Sequence, residues 1–281
     1  MTNQTNQEDL SQNTNLAATP GTAAPHKAVL NLRTRVVPLE SRHIVAIGGA
    51  LSKLPAACGR GRIFEYLLGL QKLERMQNIL FINTATGDDR ESREQFIESW
   101  NVLNIPCTYS FLDLFKRTPP DLKSILHSQD IIFVNGGNTK SMLAVWRAYG
   151  VDVLLRDAWE LGVVLAGSSA GGICWFESCL TDSYAESFTC LPAMSLLAGS
   201  CCPHYDGEVG RRETYHAMVA SGQLADGYAI DECTGIHFVG ASAHKVITVS
   251  GNKQAAAYRV TKQGDKVMEV AMPATRLNRL R

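Results

Sequence analysis

Gly167-Ser168-Ser169-Ala170-Gly171 sets a serine hydroxyl between two glycines, directly after the apolar run VVLA and before ICWF. Glycines on either side of a serine permit a turn that larger side chains would block, lifting the hydroxyl above a sheet. The context predicts a strand, a tight turn and then a helix, with Ser169 at the helix N-terminus. Free N–H groups and the helix dipole there favour developing negative charge. That is the chemistry of a nucleophile attacking a carbonyl. The bland alternative is a Gly-rich packing turn in which Ser169 only caps the helix. The position after a buried strand favours catalysis.

A second apolar run ends in Val134-Asn135-Gly136-Gly137-Asn138-Thr139. Paired glycines let a backbone N–H approach a ligand closely. One N–H from this loop and that of Ala170 would make an oxyanion hole. Asn138 and Thr139 offer substrate-binding side chains. A phosphate cradle at a helix start is the competing reading, but neither G-x-G-x-x-G nor a Walker lysine accompanies the loop. Gly48-Gly49, after the first apolar run, reads as a simple turn. A serine nucleophile needs a base, usually His backed by a carboxylate. Seven histidines compete. His26 falls in a polar N-terminal stretch, His43 precedes the first strand, and His127 sits in a polar connector. His216 reads as part of a solvated helix face, and His237 and His244 as packed strand residues. His204, in CCPHYD (201–206), lies in a loop open to a cleft, a placement that also suits a structural imidazole.

The elements that must position these groups are legible as apolar runs. HIVAIGG (43–49), ILFINTA (79–85), DIIFVNGG (130–137) and GVVLAGSSAGG (162–172) are continuous rather than alternating, as strands covered on both faces are. CTYSFLDL (107–114) is a weaker strand. Residues 63–77, 93–104 and 142–150 carry apolar residues at helical spacing. Strand and helix therefore alternate as βαβ crossovers. The strand-rich segments 227–231, 234–239, 245–250, 255–260 and 267–272 read as the far side of the sheet plus a terminal antiparallel meander. The expected fold is α/β, a doubly wound, mostly parallel sheet with a C-terminal strand-rich addition. It should occupy residues 41–281 as one domain.

Residues 1–40 are rich in Asn, Gln, Thr and Ala and predict a disordered polar tail. They lack the apolar core of a secretory signal. With 27 Lys+Arg against 27 Asp+Glu among 281 residues, the chain has no cationic excess for a nucleic acid partner. No window approaches ~18 consecutive apolar residues, so no membrane span is expected. Eight cysteines lack paired C-x2-C spacing and read as small buried hydrophobes in a reducing compartment, hence a cytoplasmic protein. No metal or organic cofactor is expected.

VNGGNT (134–139), GSSAGG (167–172), PHYD (203–206) and GYAIDE (227–232) together resemble the serine peptidase family that includes dipeptidase E (α-aspartyl dipeptidase) and cyanophycinase. The resemblance spans roughly residues 43–250. It implies a flavodoxin-like sheet similar to that of class I glutamine amidotransferases, with Ser169 as nucleophile, His204 as general base, and Gly137 and Ala170 as oxyanion donors. Glu232 is implied as the orienting acid, with Asp182 as the alternative. Arg211 and Arg212 occupy the place where an arginine would hold an acidic substrate side chain; as an RR-E pair at a helix start they also read as a solvated face. Asp231 reads as a surface charge at a strand end. The expected activity is hydrolysis of short peptides, including dipeptides with N-terminal Asp. A small peptide is then the partner, with a homodimer as an open assembly state. Rival readings are a cyanophycinase-like or other amide hydrolase, an α/β-hydrolase esterase, and a catalytically silent binding module on the same scaffold.

Overall fold

The computed structural model describes residues 32–55, 58–71, 73–101, 107–184, 187–264 and 266–278. Most of the expected tail, and residues 102–104 of one expected helix, lie outside that set. The order begins β1 (His43–Ile47), α1 (Arg60–Leu68), β2 (Gln77–Ile82), α2 (Arg90–Asn101), β3 (Cys107–Leu112), α3 (Leu122–His127) and β4 (Ile131–Val134). It continues through α4 (Thr139–Tyr149), α5 (Val151–Glu160), β5 (Val164–Ser168), a single helical turn α6 (Ala170–Ile173), β6 (Phe176–Thr181), β7 (Thr189–Pro192) and β8 (Leu197–Cys202). The last part comprises α7 (Arg211–Ser221), β9 (Gly227–Ile230), β10 (Thr234–Val239), β11 (Ser242–Thr248), β12 (Ala256–Gln263), β13 (Lys266–Pro273) and β14 (Thr275–Arg276).

The first sheet runs β14-β11-β10-β1-β5-β4-β2-β3. Its five strands from β1 to β3 are parallel, and β10 joins β1 antiparallel. Because side chains alternate along a strand, each central strand feeds two cores. Ile44, Ala46, Ile132, Val134 and Leu165 pack with Met142 and Trp146 of α4 and Leu155 of α5. Val45, Ile47, Ile131, Phe133 and Val164 pack with Phe64 of α1 and Phe96 of α2. Helices on both faces explain why these strands are continuously apolar. α1 is shorter than its apolar spacing predicts: it stops at Leu68, and the chain re-enters the sheet at Gln77.

The C-terminal strands correct the expected meander. A second sheet, β13-β12-β9-β8-β6-β7, is present, and the late strands divide between the two sheets. β10 and β11 extend the first, while β9, β12 and β13 build the second with β6 to β8. The segments FESCLT, TCLP and LAGSCC escaped the reading as strands because Glu, Ser, Thr, Gly and Pro interrupt their apolar signal. The first core continues into Cys179, Cys201, Ile230 and Ala257 of the second sheet, so the sheets share a core. A third cluster seats Tyr215 and Val219 of α7 against Leu180, Ala229 and Val260. Residues before 41 already engage the fold: Arg33 pairs with buried Asp130 at 2.7 Å, and the Val37 N–H donates to Glu160 O. Among the described residues, no helix is long and apolar enough to cross a membrane.

Candidate active site

β1, β5 and β4 are neighbours in register, with Ile47 opposite Ser168 and Val134 opposite Gly167. The loops that follow them therefore leave the sheet side by side, at the carboxyl ends where sites form in open α/β sheets. At the end of β5 the helix follows without a connecting loop. A Cβ on Gly167 would lie 2.2 Å from Gly171 O, and one on Gly171 would lie 2.2 Å from Val134 O. Both glycines of the pentapeptide are thus required by backbone packing. Between them Ser169 has φ 54° and ψ −117°, a conformation that costs about 1–3 kcal/mol. Its N–H donates to Ile47 O at 2.9 Å, and its carbonyl accepts from Gly172 and Ile173.

The histidine comes from the other sheet. His204 follows β8, also with positive φ (50°). Its N–H donates to Gly48 O at 3.0 Å, and the Tyr205 N–H donates to Ile230 O at 3.1 Å. These bonds tie the loop across the seam between the sheets. His204 Nε2 lies 2.9 Å from Ser169 Oγ, and its Nδ1 lies 3.3 Å from Glu232 Oε1. Gly49, with φ +132°, lies against the imidazole; a Cβ there would come within 2.1 Å of His204 Cε1. Gly48-Gly49 is therefore a histidine seat, which its reading as a simple turn missed.

Glu232, just past β9, has its N–H bonded to Asp206 Oδ1 at 2.7 Å. Its carboxylate also accepts from Lys53 Nζ at 2.7 and 3.0 Å. Burial pushes the Glu232 carboxyl up, but hydrogen bonds from Lys53 and His204 outweigh that and hold it below the usual carboxylate range. Asp182 is elsewhere: its largely exposed carboxylate lies 3.6 Å from Arg211, and it has no hydrogen bond to His204. Asp231 is buried rather than a surface charge. It accepts from the Ala256 N–H at 2.9 Å, and desolvation pushes its carboxyl up to about 6.

Among the described residues, no protein acceptor takes the N–H of Gly137 or Ala170. Gly137 lines the same cavities as Ser169, and Ala170 follows Ser169 in sequence. Asn138 is spent on structure, capping α4 through Ser141 and donating to Ser183 O. Thr139 lines a cavity of about 150 Å³ with Ser169, Asp182, His204, Glu208 and Arg211. Arg211 is not on a solvated face: it is 1% exposed, bonded to Glu208 and stacked over Phe188, and its Nη1 has no partner. Arg212 corrects the expectation for it, since it lines neither cavity at Ser169. It pairs with Glu269 and stacks over Tyr205 and Tyr258. His216 is not on a free face either: it contacts Glu269 and the Tyr205 hydroxyl. A second cavity of about 350 Å³ also opens at Ser169 and His204, lined by Lys53 and Arg60 among others.

The model of peptidase family S51 matches residues 54–246. The uncharacterised peptidase YgaJ of Bacillus subtilis (strain 168) is 40% identical over 233 residues, covering 83% of this chain and 97% of that protein. Among solved structures, a peptidase from an acI-B1 actinobacterium superposes with a TM-score of 0.56 at 16% identity, over 82% of this chain and 97% of that one. A Listeria monocytogenes EGD-e protein described as a candidate peptidase E superposes with a TM-score of 0.55 at 19% identity, over 74% and 99%. The fold is the α/β fold of these peptidases. The chain belongs to peptidase family S51.

Proposed function

We propose that the chain is a serine-type peptidase that hydrolyses the amide bond of short peptides through an acyl-enzyme on Ser169. The observation that carries this reading is the relay from Ser169 Oγ to His204 Nε2 at 2.9 Å, continued from Nδ1 to Glu232 at 3.3 Å. His204 takes the hydroxyl proton as Oγ attacks the carbonyl carbon. The oxygen becomes an oxyanion facing the Gly137 and Ala170 N–H groups. Collapse breaks the C–N bond, and the imidazolium returns its proton to the departing amine. Water, deprotonated by the same His204, then attacks the acyl carbon and releases Ser169. Glu232 holds the imidazole in orientation and stabilises its charged form.

Arg211 is the substrate-selecting residue in this reading. Its guanidinium, from a residue lining the smaller cavity, suits a carboxylate on the N-terminal residue of the substrate, as in a dipeptide beginning with Asp. Glu208 and Asp182 beside it suit the substrate's ammonium group. The test is labelling with a fluorophosphonate probe, followed by a screen of dipeptides with acidic, basic and apolar first residues. Wild type should label and Ser169→Ala should not; equal labelling of the two sinks the serine mechanism. Hydrolysis should favour acidic first residues, and Arg211→Met should erase that preference.

A further inference from the structure

The two cavities at Ser169 carry opposite charge. In the smaller, the carboxylates of Asp182 and Glu208 outnumber the guanidinium of Arg211. In the larger, Lys53 and Arg60 are the charged lining residues and no carboxylate joins them. The chain as a whole is neutral, so this polarity is local to the cavities at the nucleophile.

Each cation in the larger cavity has capacity to spare. An ammonium has three donors; Lys53 directs hydrogen bonds at the two oxygens of Glu232, which leaves one donor free. Arg60, at the start of α1, spends one N–H on the amide oxygen of Gln95. Among the described residues it forms no ion pair, although a guanidinium offers five donors. Desolvation by its surroundings lowers the Arg60 pKa and outweighs the attraction of the Glu98 carboxylate, with which it forms no ion pair.

We propose that Lys53 and Arg60 form a carboxylate-binding subsite that takes the free C-terminus of the peptide's leaving-group side. The inference rests on the peptidase reading for its placement, and it sets the direction of the chain in the site. A short peptide is a dipole with an ammonium at one end and a carboxylate at the other. It lies with its first residue toward Glu208 and Arg211, the scissile carbonyl at Ser169, and its terminal carboxylate toward Lys53 and Arg60. Peptides whose C-terminus is amidated, or extends past the cavity, lose the second anchor.

Equilibrium binding tests this without requiring turnover. Ser169→Ala protein is titrated with a panel of dipeptides, each as the free acid and as the C-terminal amide. The free acids should bind about 10–100-fold more tightly, the range for a charge-assisted hydrogen bond to an otherwise unpaired ion. Adding Arg60→Gln should shrink that ratio, Arg60→Lys should restore part of it, and Arg60→Gln with Lys53→Met should bring it to about 1. Equal affinity for acid and amide, no measurable binding of any free acid, or a preference that survives the double substitution would each overturn the subsite. Fluorophosphonate labelling of wild type is scored separately: its failure removes the serine mechanism and leaves the acid-to-amide ratio standing or falling by itself.

Discussion

At the scale of single residues, the site rests on a division of labour between carboxylates. Glu232 contacts His204, whereas Asp182 is exposed and pairs with Arg211. Glu232→Gln should lower kcat by about 10³–10⁴-fold, because an amide neither fixes the imidazole tautomer nor stabilises its charge. Asp182→Asn should change kcat by less than about threefold, since an exposed pair contributes little. Steady-state kinetics on both variants decides the matter; a large loss in Asp182→Asn alone would transfer the orienting role to it. Ser169 and His204 also share positive φ. The local strain of each is held by backbone bonds to other strands, so neither conformation follows from its own residue type.

At the scale of elements, the Ser169–His204 contact joins two sheets. Ser169 follows β5 of one, and His204 follows β8 of the other, held to Gly48 at the end of β1. Gly49→Ala would push a methyl into the imidazole from a backbone with φ +132°. It should cut kcat by at least about 100-fold, as displacements near 1 Å do, while costing about 1–3 kcal/mol of stability. Kinetics and thermal melting together check this; unchanged kcat would show that the loop shifts without moving His204. The other side of the His204 loop is held by Tyr205, whose hydroxyl meets Glu269 and His216. Tyr205→Phe removes that anchor and should lower stability by about 1–3 kcal/mol, read from denaturant unfolding. A wild-type midpoint would mean the backbone bond to Ile230 suffices.

At the scale of the whole molecule, acid sensitivity is built into the first sheet. His237 is buried on β10, with Tyr66 Oη 2.8 Å from Nδ1 and His43 Nδ1 3.0 Å from Nε2. Desolvation, then the neighbouring His43, His244 and Lys245, push its pKa down to about 3. In the unfolded chain it titrates near 6.5. Between these values the unfolded state binds the extra proton, so this group's contribution is full above about 6.5 and is lost as pH falls toward 3. His237→Gln should be less stable than wild type at pH 7.5. The gap should narrow by up to about 1 kcal/mol per pH unit below 6.5. Urea unfolding at pH 7.5, 6 and 5 reads it; a constant gap would mean that His237 does not titrate with folding.

The sequence by itself determined what contiguous residues can encode. Continuous apolar runs marked the buried parallel strands, and Gly-x-Ser-x-Gly marked a turn that only glycines can make, because both are local steric and solvation demands. Residue chemistry leaves seven histidines open and the family resemblance implies His204; the tertiary structure is what brings it to Ser169. That contact spans 35 residues, and the one to Glu232 spans 28; both depend on how two sheets join. The second sheet was hidden because its β6, β7 and β8 runs are interrupted by Glu, Ser, Thr, Gly and Pro. The same holds for Arg211, which reads either as a substrate anchor or as a solvated charge until α7 packs it over Phe188, and for Lys53 and Arg60. Their meaning lies in which groups share a cavity, a property of packing across the chain rather than of any stretch within it.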